Sequence, residues 1–281
     1  MDLKNKIGFM QGRLSEIVNG KIQSFPWNEW EQEFSRASQI GISTMEWTLD
    51  QDNLAINPIM TKNGRKIIKK LSRQFNVHIP SLTGDCFMQE PFWKSSASKA
   101  KYLLSDFDAI LQASKEANIR MVLIPLVDNG SIEKKNYEDF LHSKCLERNN
   151  FLKDNKMSII FESDYSPAKL EKFIDRFPSD QFGINYDIGN SAALGFNPTD
   201  EFHAYGSRIL NIHVKDRLFG GTTVPLGEGD ANFDKVFEHI NEINYSGNFI
   251  LQTARSHDGD HLGAIKKYMS MTLSWLIKNE S

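Results

Sequence analysis

Cysteine is almost missing from this 281-residue chain, which has two, Cys86 and Cys145. They form no metal-type pair and are too few for a disulfide framework. Long apolar runs are missing as well. No window approaches the 18 residues that a membrane helix needs, and residues 1–6 hold no apolar signal segment. The expectation is a soluble, cytoplasmic protein. An excess of one charge is also missing: 33 Lys and Arg against 36 Asp and Glu leave a net charge of −3. That balance gives no overall pull toward nucleic acid or an anionic membrane. There is no linker, low-complexity stretch or internal repeat. Gly8 and Gly12, around the first apolar run, do not make the glycine fingerprint of a dinucleotide-binding fold.

What remains suits one large domain over residues 1–281, with 40% hydrophobic residues to fill its core. Short apolar runs alternate with helical patterns. Ile7 to Met10 reads as the first strand. Trp27, Trp30, Phe34, Ala37 and Ile40 follow at helical spacing, closed by Gly41. Strands are expected at 44–49, 77–82 and 118–127, and helices at 61–75, 95–117 and 136–156. Three apolar runs then end in Glu162, Asp187 and His213, spaced 25 and 26 residues apart, about one strand-plus-helix unit. A fourth, from Asn248, ends in Gln252. Helices are expected for about a dozen residues from Ser166-Pro167, at 198–207, at 232–243, and along Leu262, Ile265, Met269, Leu273 and Leu276. Eight strands in alternation with eight helices predict a (β/α)8 barrel.

In such a barrel the functional groups sit at the carboxyl ends of the strands. Glu162, Asp187, His213 and Gln252 would then share one mouth. Two carboxylates, an imidazole and a carboxamide suit a divalent cation such as Mn, Mg, Co or Zn. The absence of cysteine ligands argues against a closed structural zinc site. By position, Asn190, Lys215, Asp216 and His257 are further mouth residues, and Arg217 and Arg255 could hold a phosphate or sugar oxygens. Glu46 and His78 could point into the barrel. Trp47, Phe87, Phe92 and Trp93 are candidates for apolar walls, and the glycines at 220–221 and 227–229 for a loop that closes over a substrate.

The runs FES at Glu162, YDIGN at Asp187, HVKD at His213 and VPLGEGDANF at 224–233 carry a resemblance. The chain resembles the xylose-isomerase-like barrel superfamily, especially sugar and sugar-phosphate isomerases and epimerases such as L-ribulose-5-phosphate 3-epimerase. The resemblance implies a metal held by Glu, Asp, His and Glu at these four strand ends, the two Glu residues serving as acid and base on opposite faces of the sugar. This chain matches at Glu162, Asp187 and His213, and departs at Gln252. A glutamine offers an oxygen to a hard cation but takes up no proton near neutral pH. The ligand charge falls from −3 to −2, which predicts weaker metal binding.

The function expected is a metal-dependent sugar or sugar-phosphate isomerase or epimerase. Glu162 removes the proton next to a carbonyl, and the metal holds the enediolate. With Gln252 neutral, the single base leans the reading toward an isomerase; Lys215, His257 or Glu46 could supply a second proton carrier. The alternatives are an altered barrel that binds a sugar without turnover, a dehydratase, and a DNA-repair nuclease of the endonuclease IV type. The last wants more histidines than the seven present, of which His142, His203 and His239 fall in expected helices. The partner expected is a small sugar or sugar phosphate, with no nucleic acid and no membrane. A homodimer is compatible with all of this.

Overall fold

The computed structural model describes residues 3–18 and 20–279. Eight parallel strands close into a barrel: β1 (Ile7–Met10), β2 (Thr44–Thr48), β3 (His78–Thr83), β4 (Met121–Leu126), β5 (Ser158–Ser163), β6 (Phe182–Asp187), β7 (Ile209–Val214) and β8 (Asn248–Leu251). Each pairs with the next, and β8 closes on β1. Around them lie α1 (Gln32–Ile40), α2 (Lys62–Phe75), α3 (Asp85–Gln89), α4 (Ala97–Ala117), α5 (Lys135–Leu146), α6 (Asn149–Asn155), α7 (Pro167–Ile174), α8 (Ile188–Leu194), α9 (Pro198–Tyr205), α10 (Phe233–Glu242) and α11 (His261–Lys278). No helix among the described residues is long and apolar enough to cross a membrane.

Strands buried on both faces by a ring of helices read as continuous apolar runs, which is why they stand out in the sequence. Outward residues fill the layer between sheet and helices. Phe161 of β5 packs edge-on against Phe173 of α7 at 5.2 Å between ring centroids. The ends follow capping chemistry. Thr61 accepts the Gly64 N–H at the start of α2. Gly41 ends α1 with φ 74°, a left-handed turn that glycine adopts without strain.

Four local expectations change. Residues 136–156 form two helices, because Arg148 turns away to pair with Asp108 of α4 at 2.8 Å and to lie over the Phe107 ring. Trp27 and Trp30 precede α1 and pack through Phe25 and Trp47. The helix at Pro167 has eight residues, not a dozen. The short α8 starts directly after Asp187, whose carboxylate accepts the Asn190 N–H and so caps it.

The barrel interior positions the site. Such interiors are usually packed with branched apolar side chains. Here Glu46, Ser81, Asn185, Asn211 and His213 are all buried and hydrogen-bonded to one another. Asn211 of β7 reaches Glu46 of β2 at 2.9 Å; these strands are not neighbours in the sheet, so the bond crosses the lumen. Gly8 of β1 makes room: a Cβ there would lie 2.8 Å from the Thr44 carbonyl oxygen and 2.9 Å from Ile250 Cδ1.

Candidate functional site

Glu162, Asp187 and His213 converge at the carboxyl rim. One ligand atom from each lies within 4.8 Å of the others, and all three residues are buried. Among the described residues this is the one such group of three or more acids, histidines or cysteines. His213 Nε2 lies 2.7 Å from Glu46 Oε1. Donation to that carboxylate leaves Nδ1 as the acceptor nitrogen. Nδ1 is fully buried, makes no hydrogen bond, and stands 3.2 Å from Glu162 Oε2 and 3.8 Å from Asp187 Oδ2. A buried ring nitrogen without a hydrogen-bond partner, set beside two carboxylates, is the arrangement a divalent cation requires of an imidazole.

The electrostatics agree. Burial alone would lower the His213 pKa, but Glu46 first, and then Asp187 and Glu162, raise it well above the ordinary value. The pocket therefore favours positive charge at this point, whether a proton or a cation. Burial would raise the Asp187 carboxyl; Lys215 and His213 outweigh it and hold it at about 2. The donor set fits a divalent ion, with Glu162, Asp187 and His213 to hold it.

Above this cluster opens a cavity of about 510 Å³, lined among others by Arg13, Asp85, Glu162, Asn190, Lys215, Arg217 and Gln252. Asn190 ties it together. Its Nδ2 donates to Glu162 Oε1 at 2.6 Å, and its Oδ1 accepts from Lys215 at 3.1 Å and Arg217 at 2.8 Å. Asn185 Nδ2 donates to the other Glu162 oxygen at 2.8 Å, so both are held. Lys215 Nζ stands 3.2 Å from Asp187 Oδ2 and 3.3 Å from Gln252 Oε1. Gln252 thus reaches the mouth, with its oxygen on a lysine.

Other sequence candidates lie elsewhere. Glu46 is no mouth residue: it is fully buried behind His213, its oxygens taken by Ser81, Asn211 and His213. His78 is exposed at the first residue of β3, the rim opposite the site. His257 is exposed and does not line the cavity. Arg255 donates to the carbonyls of Gly12 and Ser15 and anchors the loop after β1. Asp216 is buried and accepts N–H groups from Gly227, Gly229 and Ala231, which explains the GEGDANF run as the wrapping of one carboxylate. The glycine-rich loop is pinned in part as a ribbon, Asp216–Arg217 antiparallel to Thr223–Val224. Trp47, Phe87, Phe92 and Trp93 are buried in the outer core and do not line the mouth. His142, His203 and His239 sit on α5, α9 and α10, outside the cluster.

Sequence reasoning missed four residues here: Asn185, Asn211, Arg13 and the cavity role of Asp85. Asn185 and Asn211 were within reach, since each stands two residues before Asp187 or His213 and so shares its face. Arg13 gave no local signal. It is buried, and its guanidinium is held by the carbonyls of Thr253 at 2.9 Å and Ile22 at 2.7 Å.

A closed parallel barrel with an acid–imidazole cluster at its carboxyl rim defines a class, the (β/α)8 barrels whose candidate site lies at the carboxyl ends of the strands. A model of the family described as Xylose isomerase-like TIM barrel matches residues 34–277, and the chain belongs to that family. The chain is similar to L-ribulose-5-phosphate 3-epimerase UlaE of Escherichia coli O1:K1 / APEC. The two are 21% identical over 234 residues, 79% of this chain and 81% of UlaE. Its fold matches a xylose isomerase domain protein from Planctomyces limnophilus with TM-score 0.76, at 13% identity and 98% coverage of both chains. It also matches the IolI protein with a bound zinc atom, with TM-score 0.73, at 16% identity, covering 98% of this chain and 99% of IolI.

Proposed function

We propose that this protein is a divalent-metal-dependent isomerase or epimerase of a sugar or sugar phosphate, with Glu162 as the base that removes the proton next to the carbonyl. The convergence of Glu162, Asp187 and His213 beneath the cavity supports the reading most directly. The name of UlaE supports the substrate class, and the zinc atom of IolI supports the metal. A bound divalent cation would supply Lewis-acid stabilisation of the negative charge that develops on the substrate oxygen.

The chain's own residues do the rest. Asn185 and Asn190 each donate to one Glu162 oxygen and fix the carboxylate in the cavity. Lys215 and Arg217 present cationic donors to substrate oxygens or a phosphate. Gln252 lends a fourth oxygen, without charge, beside the metal ligands. A cavity of about 510 Å³ suits a small sugar. An isomerase needs one proton carrier, and Glu162 is enough for that.

Pools of ketoses and ketose phosphates in deuterated water with Mn test this. Expected is metal-dependent loss of the C–H signal next to the carbonyl, abolished by chelator and by Glu162→Gln. No uptake from any pool would remove the enzymatic reading. Gln252 supports a second reading, a barrel that binds a sugar without turnover; binding without deuterium uptake is its signature.

A further inference from the structure

Asp85 opens α3 at the mouth, two residues after the end of β3. It lines the same cavity as Glu162, Arg13, Lys215 and Gln252, and is 7% exposed. No described residue donates a hydrogen bond to its carboxyl. That sets it apart from the acids around it. Glu162 is held by Asn185 and Asn190, and Asp187 by the Asn190 N–H and Lys215. Glu46 is held by Ser81, Asn211 and His213, and Asp50 by the Phe25 N–H and Gln89. A buried carboxyl without donors is expensive to ionise. Burial first, and then Asp50 and Glu162, push it well above the usual carboxylate range, against the pull of His213 and Arg13. Asp85 therefore carries a carboxyl that burial biases toward its protonated form; it faces the cavity and is idle in the structural network.

We propose that Asp85 is the second catalytic acid–base group of this cavity, giving a proton to the sugar carbon on the face away from Glu162. The proposal rests on the isomerase or epimerase reading and turns it toward epimerisation. β3 and β5 are separated by β4, so the two carboxyl groups enter from different parts of the wall. Glu162 takes the proton from the carbon next to the carbonyl. The C–H pair becomes the C=C bond of an enediolate, and the carbonyl π pair moves onto oxygen. On return the C=O bond re-forms, and the C=C pair takes the Asp85 proton on the opposite face. The carbon is inverted, Glu162 is protonated and Asp85 ionised; one proton exchanged with water resets both. This is the task that Gln252 cannot perform.

The test uses the full chain with Mn in deuterated water, on a panel that includes L-ribulose 5-phosphate, D-tagatose and D-psicose. With the unaltered protein, the first-turnover inverted product carries one solvent deuterium at the reacting carbon, because its hydrogen comes from Asp85. Product that keeps the substrate's own hydrogen means a single carrier and overturns the proposal. With Asp85→Asn, inverted product falls by on the order of 100-fold or more, while wash-out of the C–H by Glu162 stays within a few-fold. Undiminished inversion in that variant, or equal loss of wash-out and inversion, overturns it. Wild-type protein that exchanges no panel sugar removes the parent reading and this proposal with it. Wild-type exchange without inversion overturns this proposal alone.

Discussion

Glu46 Oε1 lies 2.7 Å from His213 Nε2, joining β2 to β7 through the barrel interior across 167 residues of sequence. The pair does two things at once. It fixes the imidazole tautomer, and it sets a negative charge behind the nitrogen that faces Glu162 and Asp187. Such outer carboxylates commonly account for 10–100-fold of metal affinity. Glu46→Gln keeps the shape and removes the charge. Mn affinity by titration calorimetry is expected to fall by about that factor; unchanged affinity would mean that the ring is oriented by something else.

On the proposed reading, Asp187 couples a divalent ion to stability. A ligand at about 100 times its Kd adds about 2.7 kcal/mol to the folded state. In a chain of this size that raises Tm by roughly 5 °C. Asp187→Asn should abolish the Mn-dependent rise in a thermal melt. It should also lower the metal-free Tm, because asparagine keeps the α8 cap but loses the ion pair with Lys215 at 3.2 Å. A variant that keeps the full Mn shift would place the ion elsewhere.

Gln252 and Lys215 make an opposite prediction. The Lys215 ammonium, 3.2 Å from Asp187 and 3.3 Å from Gln252, already supplies positive charge at the rim. Gln252→Glu restores a ligand charge of −3 and should tighten Mn binding on the order of tenfold. Lys215→Met should tighten it as well, by removing a competing cation from Asp187. Calorimetry showing weaker binding in both variants would contradict this account of the rim.

The parts of the site that were legible in the sequence share one physical reason. Glu162, Asp187 and His213 each end an apolar run, and a polar residue at the end of a buried strand needs a purpose. The barrel was legible from alternation alone. Glu46 points into the barrel as expected, but its partner His213 is 167 residues away, a distance no local pattern encodes. Trp47 could have been placed: neighbours in a strand face opposite ways, so with Glu46 inward Trp47 points out to the helices. His78 was expected to point into the barrel, but it is the first residue of β3 and exposed there. Arg255 turned to the loop after β1 only because closure of β8 on β1 brings that loop beside it. The break between α5 and α6 depends on Asp108, a tertiary partner.

The two thiols offer a simple check on burial. Cys86 and Cys145 are 2% and 0% exposed. Burial pushes the Cys145 thiol up to about 12 and the Cys86 thiol well above its ordinary value. Neither should react with a disulfide reagent at pH 8 in the native protein, and both should react in denaturant. Rapid native labelling of either would contradict the packing of α3 or α5.

Glu33 of α1 predicts how stability depends on pH, away from the cluster of Glu162, Asp187 and His213. Its carboxylate accepts the Gly12 N–H with both oxygens at 2.9 Å and the Leu14 N–H at 3.0 Å, yet it is fully buried. Burial outweighs those donors and raises its pKa from the ordinary 4.5 to about 7. Between those values the folded state holds a proton that the unfolded chain has released. The contribution is therefore fully present below about 4.5 and is lost as pH rises through about 7. The loss is on the order of 3 kcal/mol. Glu33→Gln keeps an oxygen for the loop amides and removes the ionisable group. Urea midpoints measured at pH 5 and pH 8 should fall with pH in the parent and fall less in the variant. Identical slopes would mean that water reaches Glu33 and that the loop after β1 is open where the structure has it closed.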